Sequence, residues 1–193
     1  SHPAIKAASP QAPVNDWFIG DDWHHNGAFF LAHMFNWMSR NGRKRPEPTK
    51  KFAPATFDYG TPDGYEFYRR IKTLSEIDKK YLKGDVPFWL ETIRHGTYDE
   101  FWKRHALRDK YDQVDTPAYF ITGWYDALLD EVFAQYQAWK AKGRSEETRK
   151  RTRIMVGPWT HYAFSSSDLY GAIDYRSAGD LDFVAEHKRW YDQ

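Results

Sequence analysis

Apolar positions keep a helical period through the first half of the chain and gather into short continuous runs in the second. Between Asp16 and Ser39, the positions Trp17, Phe18, Trp23, Phe29, Phe30, Ala32, Phe35, Trp37 and Met38 fit an aromatic-rich helix better than they fit alternation. Asp21 or Asp22 is placed to cap its start, and Asn41-Gly42 stands where a left-handed residue commonly closes a helix. Short helical segments follow from Asp63 to Leu74, Ser75 to Leu82, Val86 to Glu91 and Tyr98 to Arg104, so residues 16–107 read as a helical layer with no strand of its own. Within it, Arg43 to Thr56 carries five Lys or Arg and three Pro and reads as an exposed connection.

Beyond that layer the period changes. Pro117 to Thr122 is a continuous apolar run ended by Gly123, as expected for a strand buried on both faces. Leu128 to Lys142 returns to helical spacing, with Leu129, Val132, Phe133, Tyr136 and Trp139 on one face and Gly143 as its stop. Thr152 to Val156 repeats the strand pattern and ends at Gly157-Pro158. Strand, helix, strand predicts a βαβ unit and a parallel sheet, the signature of an α/β fold. Ala4 to Ser9 reads as one further strand, stopped by Pro10 and Pro13. Asp180 to Tyr191 reads as a last helix presenting Leu181, Val184, Ala185, Lys188 and Trp190.

Composition narrows the function classes. The 193 residues hold 28 Lys+Arg against 27 Asp+Glu, a formal net charge of +1, which gives no basic surface for nucleic acid. There is no cysteine, so thiol nucleophiles, thiolate metal sites and disulfides drop out together. No apolar run approaches the ~20 residues that span a bilayer, and no membrane partner is expected. Aromatic residues make up 18% of the chain although its mean hydropathy is −0.83. Burial therefore rests on large amphipathic rings, which also line pockets.

In open parallel sheets the ligand crevice lies beyond the carboxyl ends of the strands. One strand leads to Gly123-Trp124-Tyr125-Asp126 and the next to Gly157-Pro158-Trp159-Thr160-His161, placing an acid and an imidazole 35 residues apart at that edge. Acid before histidine is the chain order of the last two members of a Ser, Asp, His triad on this type of fold. The carboxylate would orient the imidazole and stabilise the imidazolium formed when it takes the serine proton. Two plainer readings stay open: Asp126 as the cap of the following helix, and His161 as a hydrogen-bonded turn residue. No serine satisfies Gly-x-Ser-x-Gly. Ser145 lacks the second glycine, Ser177 lacks the first, and Ser165-Ser166-Ser167 follows the histidine and reads as a loop.

Several separated motifs carry a family resemblance: the opening Ser1-His2-Pro3-Ala4-Ile5-Lys6, the segment Gly20-Asp21-Asp22-Trp23-His24-His25-Asn26-Gly27-Ala28-Phe29, Tyr98-Asp99-Glu100-Phe101-Trp102, the two strand ends, and Glu186 to Asp192. Together they resemble the X-Pro dipeptidyl-peptidase-type acyl hydrolases, the cocaine esterase-like and α-amino acid ester hydrolase-like serine enzymes. The resemblance implies a fragment of an α/β-hydrolase fold with an inserted helical cap. Residues 1–15 would be a strand segment of the hydrolase domain, 16–107 the cap, and 108–193 the C-terminal part of the hydrolase domain. It implies Asp126 and His161 as triad acid and base, a nucleophile elbow before Ser1, and a β-domain after Gln193. Asp22 matches a carboxylate that binds the substrate ammonium in the α-amino acid ester hydrolases. Their two further carboxylates would fall at Leu128 and Leu129, so amino-acyl selectivity would need Asp130 and Glu131 to substitute.

Trp23, Trp124 and Trp159 either shape an acyl pocket or pack as core under the cap. His24, His25 and His33 invite a metal reading, but a catalytic metal needs three converging ligands, and adjacent helix residues diverge. No metal and no cofactor is expected. The leading expectation is a serine hydrolase of esters or amides acting on a small molecule or short peptide, to which this chain supplies Asp and His but not Ser, so that alone it is inactive. The alternative is a non-catalytic interaction module derived from a hydrolase segment. Self-association, or association with the rest of its own chain, is expected from unburied rings. The compartment leans to periplasmic or secreted over cytoplasmic.

Overall fold

The computed structural model describes residues 2–20, 22–25, 27–42, 44, 64–161, 169–170, 173–175 and 179–192. The connection expected from Arg43 to Thr56, apart from Lys44, lies outside the described residues, as do Asp21, the Ser165-Ser166-Ser167 run and Ser177. In chain order the elements are β1 (His24–His25), β2 (Ala28–Phe29), α1 (Leu31–Asn41), α2 (Tyr65–Arg69), α3 (Leu74–Ile77), a π-helical turn (Asp78–Leu82), α4 (Pro87–Arg94) and α5 (Glu100–His105). A 3-10 turn (Tyr111–Gln113) leads to β3 (Tyr119–Tyr125), α6 (Leu129–Lys142), α7 (Glu146–Arg151), β4 (Arg153–Thr160), β5 (Leu169–Tyr170), β6 (Ile173–Asp174) and α8 (Phe183–Tyr191). The chain divides into two compact units, Ser1–Asn26 with Trp102–Gln193, and Gly27–Phe101.

The first unit is built on parallel strands. β3 and β4 pair in register from Tyr119↔Arg153 to Gly123↔Gly157, with a shift before Tyr125↔Thr160. On the other edge of β3, Ala8 bridges Ala118 and Gln11 bridges Ile121, also in parallel. The segment expected as a strand at Ala4–Ser9 is thus a broken ladder centred later. Pro10 has no N–H to give Tyr119, and the Ser9 hydroxyl lies 3.3 Å from that carbonyl in the missing amide's place. α6 and α7 carry the chain from β3 to β4, and Tyr111, Ala118, Phe120, Val132 and Trp139 form the core beneath them. Ser145 is the N-cap of α7, accepting from the Thr148 amide at 3.1 Å.

Both strands run on past the glycines expected to end them. Gly123 and Gly157 lie inside β3 and β4 because the register shift brings Trp159 against them. A Cβ at Gly123 would fall on the Trp159 carbonyl, and one at Gly157 would meet the Trp159 ring. β3 is buried through Gly123, as expected, whereas Ile154, Met155 and Val156 of β4 are only half-buried. α8 is rotated from its expected face. Phe183, Glu186, His187 and Trp190 turn inward, and Val184 is 80% exposed. Two polar side chains account for the rotation: Glu186 accepts from the Tyr119 hydroxyl at 2.9 Å, and His187 Nε2 lies 2.8 Å from Ser9 Oγ.

In the second unit α1 begins only at Leu31, not near Asp21 or Asp22. Among the described residues before it are the two-residue strands β1, which belongs to the first unit, and β2, so residues 16–107 do contain strands. Met34, Phe35 and Met38 of α1 are fully buried, and Phe35 stacks on Phe67 with ring centroids 5.3 Å apart. Trp89 of α4 closes the core and donates its indole N–H to the Leu74 carbonyl at 3.0 Å. Gly42 ends α1 at φ −96°, not in the left-handed region. Space is what selects glycine there, since a Cβ would collide with Phe88. No helix among the described residues is long and apolar enough to cross a membrane.

Candidate active site

Asp126 follows β3 directly. Its amide donates to the Gly123 carbonyl at 3.1 Å, and its Oδ1 accepts from the Leu128 amide at 2.9 Å. This Asx turn starts α6, whose formal cap is Leu128, so the capping reading of Asp126 holds in modified form. The same Oδ1 lies 3.0 Å from His161 Nδ1, just past the end of β4. The Thr122 hydroxyl stands 3.5 Å from Oδ2. A carboxylate only accepts, so Nδ1 carries the proton and the neutral ring keeps its lone pair on Nε2. The Asp126 side chain is fully buried, while that of His161 is 37% exposed. The hydrogen bond to Asp126 raises the His161 pKa against the opposing effect of burial, with further help from the charges of Asp126 and Asp22.

The remaining residues singled out by sequence fall apart in role. Asp22 is half-buried and acts on His161 electrostatically. Trp124 is 58% exposed, its ring 6.3 Å from that of Phe133. Trp159 is 3% exposed, packs on Phe183 and donates its indole N–H to the Gly179 carbonyl at 2.8 Å, an arrangement that favours the core alternative. Trp23 meets Trp17 and Trp102 edge-on at 5.2 and 5.8 Å. His24 is buried against Phe18 and Trp102, and burial lowers its pKa. His25 and His33 are exposed.

Glu131 has a role that sequence spacing obscured. Its Oε2 accepts the amides of Asn15 and Asp16 at 3.0 and 3.2 Å, and burial raises its pKa. It is therefore engaged inside the unit, while Asp130 is exposed. The signal was present in the period of α6. Leu128, Glu131, Val132, Gln135 and Trp139 share one stripe, and two polar residues on an apolar stripe announce a buried hydrogen-bonding duty.

A parallel βαβ unit with a buried acid and a histidine hydrogen-bonded beyond the strands' carboxyl ends defines an α/β-hydrolase-type fold. The family model for X-Pro dipeptidyl-peptidase (S15 family) matches residues 1–163, and the chain belongs to that family. It is 22% identical over 167 residues to the cocaine esterase of Rhodococcus sp. (strain MB1 Bresler), covering 81% of this chain and 27% of that protein. It also resembles the crystal structure of an aminopeptidase from the marine sediment archaeon Thaumarchaeota archaeon, with a TM-score of 0.71 and 24% identity over 93% of this chain and 28% of that one. The chain thus spans little more than a quarter of each of these relatives.

Proposed function

We propose that this chain is the acid-and-base part of a serine hydrolase that cleaves ester or amide bonds through an acyl-enzyme. The observation that carries the reading is the bond from His161 Nδ1 to a fully buried Asp126. The buried carboxylate fixes the tautomer and ring plane, so Nε2 is the nitrogen that takes the proton of a serine hydroxyl and later returns it to the leaving group. That serine lies outside these residues, on an elbow supplied by the remainder of the enzyme. The names of the two relatives, an esterase and an aminopeptidase, cover both ester and amide substrates. Residues 16–107 are read as the helical cap; the separate core of Gly27–Phe101 supports this for residues 27–101, whereas 16–26 and 102–107 group with the first unit. Asp22, half-buried and felt by His161, suits a substrate ammonium, and the exposed Trp124 suits an acyl group. Leu128 and Leu129 leave Asp22 without the companion carboxylates of the amino-acid ester hydrolases, so the substrate class is a small ester, amide or X-Pro peptide with no strict need for an α-amino group.

The 193-residue chain alone is expected to leave a nitrophenyl ester intact. Hydrolysis by this chain that His161→Ala abolishes would place the nucleophile within it and overturn that part of the reading. In the intact enzyme, His161→Ala removes turnover, and a variant retaining wild-type rates would refute the base assignment.

A further inference from the structure

We propose that the groove between α4 and the segment formed by α3 and its π-helical turn binds a small amphipathic carboxylate, with the alkyl chain on an apolar floor and the anionic head at Lys79 and Arg94. The inference goes beyond the hydrolase reading and uses none of its residues. The groove is a cavity of about 470 Å³ lined by Leu74, Ser75, Lys79, Leu90, Ile93 and Arg94. Small-molecule sites typically enclose about 300–1,000 Å³.

Two short elements of the second unit make its walls. On α4, Leu90, Ile93 and Arg94 stand at i, i+3 and i+4 and share one face, while Trp89 and Thr92 are buried. Leu74 and Ser75 open α3, and Lys79 lies in the π-helical turn that continues it, a geometry that recurs at functional sites. The indole N–H that Trp89 donates to the Leu74 carbonyl at 3.0 Å fastens one wall to the other, so a fully buried ring sets their spacing. Leu74, Leu90 and Ile93 are half-buried whereas Lys79 and Arg94 are exposed, which puts apolar surface at the floor and positive charge at the rim.

Charge selects the occupant. None of the lining residues is acidic. Glu76 is engaged by Lys80 at 3.0 Å and by the Lys72 amide, and Lys79 has no ion-pair partner among the described residues. Arg94 meets Glu91 at 3.6 Å, but with side chains 68% and 49% exposed that pair is weak and readily exchanged for a ligand. An ammonium ligand would be repelled by both cations, and a small anion without an alkyl chain would leave the floor in water.

The probe is octanoate, titrated into the 193-residue protein and followed by the methyl NMR signals of Leu74, Leu90 and Ile93, assigned by their loss in Leu74→Met, Leu90→Met and Ile93→Leu. All three signals shift saturably with octanoate, and neither acetate nor octylammonium moves them. Lys79→Gln and Arg94→Gln each weaken octanoate binding about two- to fivefold, the worth of an exposed ion pair. Both side chains are exposed, so the fold survives these two changes. Unmoved signals at these three residues, equal affinity for octylammonium, equal affinity for acetate, or undiminished octanoate affinity in either variant overturns the proposal.

Discussion

His161–Asp126 in the first unit and His95–Asp99 in the second are both Nδ1-to-carboxylate pairs, at 3.0 and 2.6 Å, and in both the histidine pKa is raised first of all by that hydrogen bond. The shorter pair is the local one. His95 caps the C-terminus of α4, and Asp99 is four residues on, where its other oxygen accepts the Phe101 amide at 3.0 Å. The His95 ring stacks flat on Phe101 at 4.4 Å, and Glu91 stands 3.6 Å from its Nε2. Carboxylates thus face both ring nitrogens, an arrangement that stabilises an imidazolium and joins helix ends but leaves no nitrogen to act as a base. At His161 the carboxylate holds Nδ1, and the lone pair resides on Nε2. Asp99 is 40% exposed and Asp126 not at all. The shorter distance belongs to the more exposed acid, so what separates the two pairs is the burial of the carboxylate.

The sharpest way to break this contrast is to neutralise each acid. Asp126→Asn keeps an oxygen for the Leu128 amide, so the fold survives, but it favours the wrong imidazole tautomer. Turnover of the intact enzyme is expected to fall about 10³- to 10⁴-fold. Asp99→Asn is expected to leave kcat/KM within about twofold, as for a surface pair that sets a helix end. Equal losses in the two variants, measured on a nitrophenyl ester, would erase the distinction.

A second contrast of burial concerns the two rings beside the pair. Trp159→Ala empties a site in the core and is expected to destabilise by about 3–5 kcal/mol, whereas Trp124→Ala is expected to stay within about 1 kcal/mol. Urea midpoints read both. A large loss at Trp124 would mean that its exposed ring carries the packing assigned to Trp159.

The same distinction between local and distant determinants explains what the sequence disclosed. The βαβ order, the helix at 129–142 and the placing of Asp126 and His161 at strand ends were legible, because each rests on periodicity and short-range turn chemistry. The entry into α1 and the face of α8 were not, and Trp159 was left between pocket and core. They depend on partners far along the chain: Tyr119 and Ser9 draw Glu186 and His187 inward, and the backbone at Gly123 is shaped by Trp159. Glu131 lay between these cases. Sequence singled it out only as a carboxylate near Asp126, and nothing in its spacing names the amides of Asn15 and Asp16, more than 100 residues away, as its partners.

The smallest expected effect separates the pairs by screening. Each histidine has a folded-state pKa above its unfolded value of about 6.5, so its pair contributes stability that is complete below that pH and lost as pH rises through the folded value. Stability should therefore fall as pH rises above about 6.5, by a fraction contributed by each pair. In 1 M salt the screening length is about 3 Å, which weakens the more exposed His95–Asp99 contribution but reaches the buried Asp126 carboxylate far less. Urea midpoints across that range should then show a salt-sensitive part absent from Asp99→Asn and a salt-resistant part absent from Asp126→Asn. If high salt abolishes the whole pH dependence, Asp126 is solvated as Asp99 is, and burial does not distinguish the two acids.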